Sequence, residues 1–376
     1  MTAVVPEGVA GASSAGHAAL RRTALHDAHV ALGAKLVEFG GWEMPVSYPE
    51  GTVAEHRACR TAAVAFDVSH LGTVRVEGAE AFGSLQRAFT NDLGKVAPGR
   101  AQYTHLLDVD GSVADDIIVW WVSEARFDVM PNASNTARVL GAIGGVDTTV
   151  TRAVVAVQGP AARERLATVA PDAAAVAHFG VATFTWNGTE CVAAGTGYTG
   201  EDGVECAVPA DSATAFWEAV LAAGVLPAGL GARDTLRLES GLPLHGPELG
   251  PGITPLQAGL GWVIGWGTGE FCGREALERE RESGPRRRLR GLLADGRQPP
   301  RDGATVEVAG EVVGAVTSGN FSPMLERGIA LAFVDTGSDA VDRASVLVRG
   351  RALPVTVTGP RFWPPSVDAR AQGRRG

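Results

Sequence analysis

Along most of the chain, stretches with apolar residues three or four positions apart interleave with stretches in which apolar and polar residues alternate. The first pattern predicts helices and the second half-buried strands. Leu25, Ala28, Leu32 and Leu36 predict an opening helix over 25–36, and helices are also expected over 53–59 and over 80–89, where Phe82, Leu85 and Phe89 share a face. Another follows Asn135 with Val139 and Leu140 inward, and one follows Asp211 as its cap, buries Phe216, Trp217, Val220 and Leu221, and stops at Gly224. Strands are expected over 65–71, 73–76, 99–107, 113–121 and 154–157, and several short ones over 303–360, in the manner of a small barrel or sandwich. Residues 39–46 read as a glycine loop anchored by Trp42 and Met44.

Residues 195–205 lie between two alternating segments and read as strand, tight loop, strand. Gly195, Gly197 and Gly200 spell G-x-G-x-x-G, but a dinucleotide site needs a helix to open at the last glycine and an acidic residue about 20 positions further on. Here Glu201-Asp202-Gly203 turns the chain into β-type sequence instead. Two readings stay open: a plain glycine-rich hairpin, or a ligand-binding hairpin with Tyr198 as a flat platform and Glu205 as a hydrogen-bond acceptor.

Asp115 and Asp116 open the apolar run 117–121. Two buried ionised carboxylates would be costly, so at least one is expected to meet water, a ligand or a partner. Alternation puts them on opposite faces, one holding the turn and the other looking into a cavity. Asn132 ends a strand and suits a ligand contact, whereas Asn135 or Ser134 reads as a helix cap. His70 beside Asp67 and Ser69 is too close in sequence to build a triad and reads as a hydrogen-bonded structural histidine. Arg233, Arg237 and Glu239 belong to one helix, where such charges usually face solvent, although an arginine after a glycine-rich approach also suits a carboxylate.

Apolar content of 45% over 376 residues allows two or three domains with a substantial core. A net charge of -9 opposes broad binding to nucleic acid or an anionic membrane. The Arg- and Glu-rich stretch 274–290 reads as an exposed helix and a linker. Cys59, Cys191, Cys206 and Cys272 lie far apart without a C-x-x-C, so no metal site or disulfide framework is expected. Residues 1–22 lack the basic start and apolar core of a signal peptide, and no run is long enough to span a membrane. A cytoplasmic location is expected.

Seven segments in order carry a resemblance: Phe39-Gly40-Gly41-Trp42-Glu43-Met44-Pro45, Phe66-Asp67-Val68-Ser69-His70, Asp115-Asp116-Ile117-Ile118-Val119, Gly197-Tyr198-Thr199-Gly200-Glu201-Asp202-Gly203, Ala232-Arg233-Asp234-Thr235-Leu236-Arg237-Leu238-Glu239, Gly273-Arg274-Glu275-Ala276-Leu277 and Thr317-Ser318-Gly319-Asn320-Phe321-Ser322-Pro323. Together, from about 23 to 360, they resemble the T-protein of the glycine cleavage system, the aminomethyltransferase family. The resemblance implies an α+β, three-domain, cloverleaf-like fold around a folate channel, with a C-terminal β-barrel. Its expected divisions are a flexible extension 1–22, a discontinuous central domain 23–70 and 152–250, and an inserted domain 71–151. A connecting segment 251–284, a barrel 285–363 and a disordered tail 364–376 complete the chain.

The resemblance further implies transfer of an aminomethyl group from a lipoyl-bearing H-protein to tetrahydrofolate, giving 5,10-methylenetetrahydrofolate, ammonia and dihydrolipoyl protein. Asp116 takes the catalytic position, and Tyr103, Asn132, Tyr198, Glu205 and Arg233 take folate-contacting ones. The chain departs from the family pattern at Leu71, Pro131, His245 (in place of a tyrosine), Glu326 (in place of a glycine) and Trp363-Pro364-Pro365. The alternative is a divergent folate-dependent one-carbon transferase or demethylase with a small-molecule donor or acceptor, as in specialised metabolism.

Overall fold

A computed structural model describes residues 19–338 and 340–364. Residues 1–18 of the expected extension and 365–376 of the expected tail lie outside the described residues. Three β-structures dominate. A six-stranded sheet runs in the order Val181–Trp186, Thr189–Ala194, Gly203–Pro209, Arg152–Gln158, Val64–Asp67 and Leu226–Pro227. Its neighbouring strands are antiparallel except for the last pair. A five-stranded antiparallel sheet has the order Arg100–Leu107, Val113–Ser123, Arg126–Met130, Val74–Glu77 and Val146–Asp147. Six strands from Arg287–Ala294 to Arg351–Thr358 close a barrel, which removes exposed strand edges.

Alternation along the central sheet produces two apolar faces. One packs on the helix Ala213–Ala222 through Phe216, Trp217 and Val220. On the other, Phe66, Val154, Ala156 and Val192 meet Trp120 and Ala101 of the five-stranded sheet. A further core joins Leu107 and Val113 to Leu238 and to Leu289, Ile329, Leu331 and Phe333 of the barrel. Full burial of one large apolar side chain at such seams contributes about 1.5–3 kcal/mol. The seams therefore fix the three sheets around a common space.

Some local expectations change. The first helix covers only His26–Ala31, because Gly33 adopts a left-handed φ of 70° and Leu36 enters the strand Lys35–Phe39. Residues 39–46 turn from that strand into its antiparallel partner Trp42–Ser47 rather than forming a loop. Asp211 makes no side-chain cap on the following helix; it lies in the short 3-10 segment Ala210–Ser212. Cys191 and Cys206 are buried free thiols.

Candidate active site

The hairpin Thr189–Ala194 and Gly203–Pro209 shows what its glycines are for. A Cβ on Gly195 would stand 2.0 Å from the Ala177 carbonyl oxygen, and Gly200 has a left-handed φ of 79°. They permit close backbone packing and a tight turn, not a phosphate cradle. Arg60 braces the loop by donating to Thr199 O and Glu201 Oε1, each at 2.8 Å.

The loop forms one wall of a cavity of about 1790 Å³. Tyr103, Asp116, Asn132, Tyr198, Glu205 and Arg233 all line it. Tyr198 donates its hydroxyl to Pro243 O, which fixes its ring, and the Arg233 guanidinium carbon lies 4.7 Å from the ring centroid. Glu205 accepts from Thr196 through Oε2. Arg233 Nη1 is buried and has no hydrogen-bond partner among the described residues. Burial pulls the Arg233 pKa down, opposed by Glu205.

Asp116 lines the same cavity, with Asp115 buried beside it. Asp115 is fully buried and accepts from Asn132 N at 3.1 Å, Asn132 Nδ2 at 2.8 Å and Asn135 Nδ2 at 2.7 Å. Asp116 Oδ1 accepts from Asn132 Nδ2 at 2.8 Å and Oδ2 from Tyr103 Oη at 3.2 Å. Alternation separates the pair less than expected, because the Asn132 amide reaches both. Burial, then repulsion from Asp116, pushes the Asp115 carboxyl up to about 7. Burial also raises that of Asp116, against the pull of His245, Asn132 and Tyr103.

Three residues outside the expected set complete the cluster. Asn135 stands at the start of the helix Thr136–Ile143 without capping it; its amide serves Asp115 and His245 instead. Satisfying a fully buried carboxylate outweighs a cap that water can replace. His245 Nδ1 lies 3.7 Å from Asp116 Oδ1 and 3.8 Å from Asp115 Oδ1. His105 Nε2 is 3.1 Å from Tyr103 Oη. The paired asparagines and the histidine in place of the family tyrosine are the signals in sequence that mark this corner.

Ligand atoms of Asp115, Asp116 and His245 lie within 4.8 Å of one another. All four carboxylate oxygens already accept from N–H or O–H donors, an arrangement suited to holding negative charge by hydrogen bonds. His70, by contrast, lies away from any triad: Asp67 bonds Thr23, His29 and Ser69, and His70 Nδ1 has no partner among the described residues. Arg237 and Glu239 are buried, not solvated: Arg237 pairs with Glu248 at 3.1 Å and Glu239 with Arg60 at 3.0 Å.

No helix among the described residues is long and apolar enough to cross a membrane. The chain matches the GCVT N-terminal domain over residues 25–268 and the glycine cleavage T-protein C-terminal barrel domain over residues 287–363. It is 47% identical over 360 residues to an aminomethyltransferase of Frankia alni, covering 92% of this chain and 98% of the relative. An aminomethyltransferase of Mycobacterium tuberculosis is 47% identical over 352 residues, covering 90% and 95%. The solved structure of glycine cleavage system aminomethyltransferase T from Bartonella henselae superposes with a TM-score of 0.85 at 32% identity, covering 92% of this chain and 99% of that one. With both domain models of the family matched in order, and relatives this similar along nearly their full length, the chain belongs to the glycine cleavage T-protein family.

Proposed function

We propose that this chain is a tetrahydrofolate-dependent aminomethyltransferase, which takes its aminomethyl group from a lipoyl-bearing H-protein and yields 5,10-methylenetetrahydrofolate, ammonia and the dihydrolipoyl protein. The observation that carries the reading is the convergence of Asp116, Tyr103, Asn132, Tyr198, Glu205 and Arg233 on one cavity. The donor set fits a folate: Glu205 accepts from the amino edge of a pterin, the unpartnered Arg233 Nη1 donates to a carboxylate or ring oxygen, and Tyr198 offers a ring face.

Tetrahydrofolate supplies the nucleophilic amines, N5 and N10. Asp116 orients the amine and stabilises the positive charge that develops on the aminomethyl carbon. Tyr103 and Asn132 hold that carboxylate in place through its two oxygens. Balance requires that the two N–H protons leaving the folate end on sulfur and on ammonia, so no oxidant or reductant enters.

Incubation with tetrahydrofolate and aminomethylated H-protein tests the reading. Ammonia and methylenetetrahydrofolate are expected in equal amounts. Folate binding without either product would overturn the activity and leave the folate site standing.

A further inference from the structure

We propose that His245 is a positioning residue that acts as a neutral hydrogen-bond donor to Asp116, with its tautomer locked by Asn135. The proposal rests on the reading of Asp116 as the carboxylate that faces the reacting amine. It begins with Asn135. Its side-chain nitrogen lies 2.7 Å from Asp115 Oδ1 and 2.9 Å from His245 Nε2. The group there must be the NH2 end, since the same nitrogen also lies 3.3 Å from the Ala114 carbonyl oxygen, which can only accept. An N–H at His245 Nε2 would point straight at that NH2, so Nε2 carries the lone pair and accepts. The ring proton therefore sits on Nδ1.

That Nδ1 is buried, has no hydrogen-bond partner among the described residues, and lies 3.7 Å from Asp116 Oδ1. A small ring rotation converts this distance into a hydrogen bond, and a donor to the charged form favours ionisation. Protonating the imidazole would need a second N–H at Nε2, directed against the Asn135 amide. Burial also lowers the His245 pKa, opposed by Asp116. Of the other charged and titratable groups around the ring, the two carboxylates favour an imidazolium and the rest do not. Asp115 and Asp116 belong to the strand Val113–Ser123, and Tyr103 and His105 to the strand Arg100–Leu107. His105 is pushed down to about 3 by burial and stays neutral. Arg138, on the helix Thr136–Ile143, disfavours an imidazolium and is itself paired with Asp108.

Asp116 is thus approached from three sides: by Asn132 at Oδ1, by Tyr103 at Oδ2, and by His245 across a gap that closes when the site tightens. Tyrosine at this position, as in the family pattern, carries a donor on a longer arm. The shorter imidazole needs Asn135 to aim it.

Two arms test the proposal. In the first, nitrogen-detected NMR of the free protein labelled with 15N-histidine reads the tautomer and titration of His245. The Nδ1–H form is expected from pH 6 to 9, and an Asp116→Asn variant is expected to shift the Nδ1 resonance. An Nε2–H tautomer, or conversion to imidazolium above pH 6, overturns the proposal whatever the reaction turns out to be. In the second, the acid limb of the kcat profile is followed with tetrahydrofolate and aminomethylated H-protein. His245→Phe is expected to move that limb up by about one pH unit, a tenfold loss on the limb that higher pH recovers. His245→Asn, whose amide nitrogen falls near the Nδ1 position, is expected to return the limb toward its wild-type place. A limb unmoved by His245→Phe, or an equal loss at every pH, also overturns it.

Discussion

Exchanging Asp116 for asparagine separates charge from shape. In Asp116→Asn the retained oxygen still accepts from Asn132 Nδ2 at 2.8 Å, and the new amide nitrogen replaces Oδ2, 3.2 Å from Tyr103 Oη. Tyr103 then accepts instead of donating, and turns its proton toward His105 Nε2 at 3.1 Å. The neutral His105 then carries its proton on Nδ1, which has no partner among the described residues before or after the exchange, so the variant loses the negative charge and little else. On the proposed function, turnover falls by about 10²–10⁴, the range for a positioned acid–base group. At the usual conversion that is about 3–5 kcal/mol of barrier. Stability should move the other way. Burial raises the Asp116 carboxyl above its ordinary 3.8, so above about pH 4 the folded chain binds more protons than the unfolded one and the charge opposes folding. At pH 8 the variant should melt at or above the wild-type temperature, and the gain should shrink as pH falls toward 4. Product formation, folate binding and melting at pH 8 and 5 are the measurements. Full turnover would refute the assigned role. Lost turnover accompanied by lost folate binding and a lower melting temperature at pH 8 would make Asp116 a structural residue instead.

Glu205→Gln keeps an acceptor for Thr196 but loses the charge facing Arg233; KM for tetrahydrofolate should rise about tenfold, the worth of one charge-assisted hydrogen bond, with kcat nearly unchanged. Equal losses in kcat and kcat/KM would place Glu205 in the chemistry instead. Arg60→Met removes the partner of two carboxylates, Glu201 and Glu239, the second fully buried, and should cost about 3–5 kcal/mol, read as a lower urea midpoint. Adding Glu239→Gln should recover part of the loss, and an additive double variant would exclude the coupling. Glu326 holds a left-handed φ of 53° where the family pattern has glycine, and its ion pairs with Arg57 and Arg297 are exposed and 3.9 Å long. Glu326→Gly should therefore stabilise by about 0.5–1 kcal/mol, the strain relieved less the added freedom of the unfolded chain, visible as a small rise in melting temperature.

What was legible in the sequence follows the range over which each pattern acts. The hairpin around Gly195 and Gly200 is a local device, so alternation and two glycines describe it and also exclude a phosphate cradle. The barrel strands are legible for the same reason. The first helix is overextended because Leu32 and Leu36 suit either period, and only the backbone at Gly33 decides between them. The convergence of six cavity residues between 103 and 233 is not a local property, and only the family resemblance anticipated it.

The charges on the helix Leu230–Glu239 make the same point in reverse. Their spacing looks like a solvated face because spacing is a property of one helix, whereas burial depends on partners elsewhere. Glu239 is buried because Arg60, 179 positions earlier, meets it, and Arg237 because Glu248 and Ser318 do. Asn135 reads as a cap by the same one-element logic, yet the stronger demand comes from a buried carboxylate on the neighbouring sheet. A polar residue's role is thus set by the costliest unpaired group within its reach. In this chain that group is the Asp115–Asp116 pair, and its demand selects which nitrogen of His245 carries a proton.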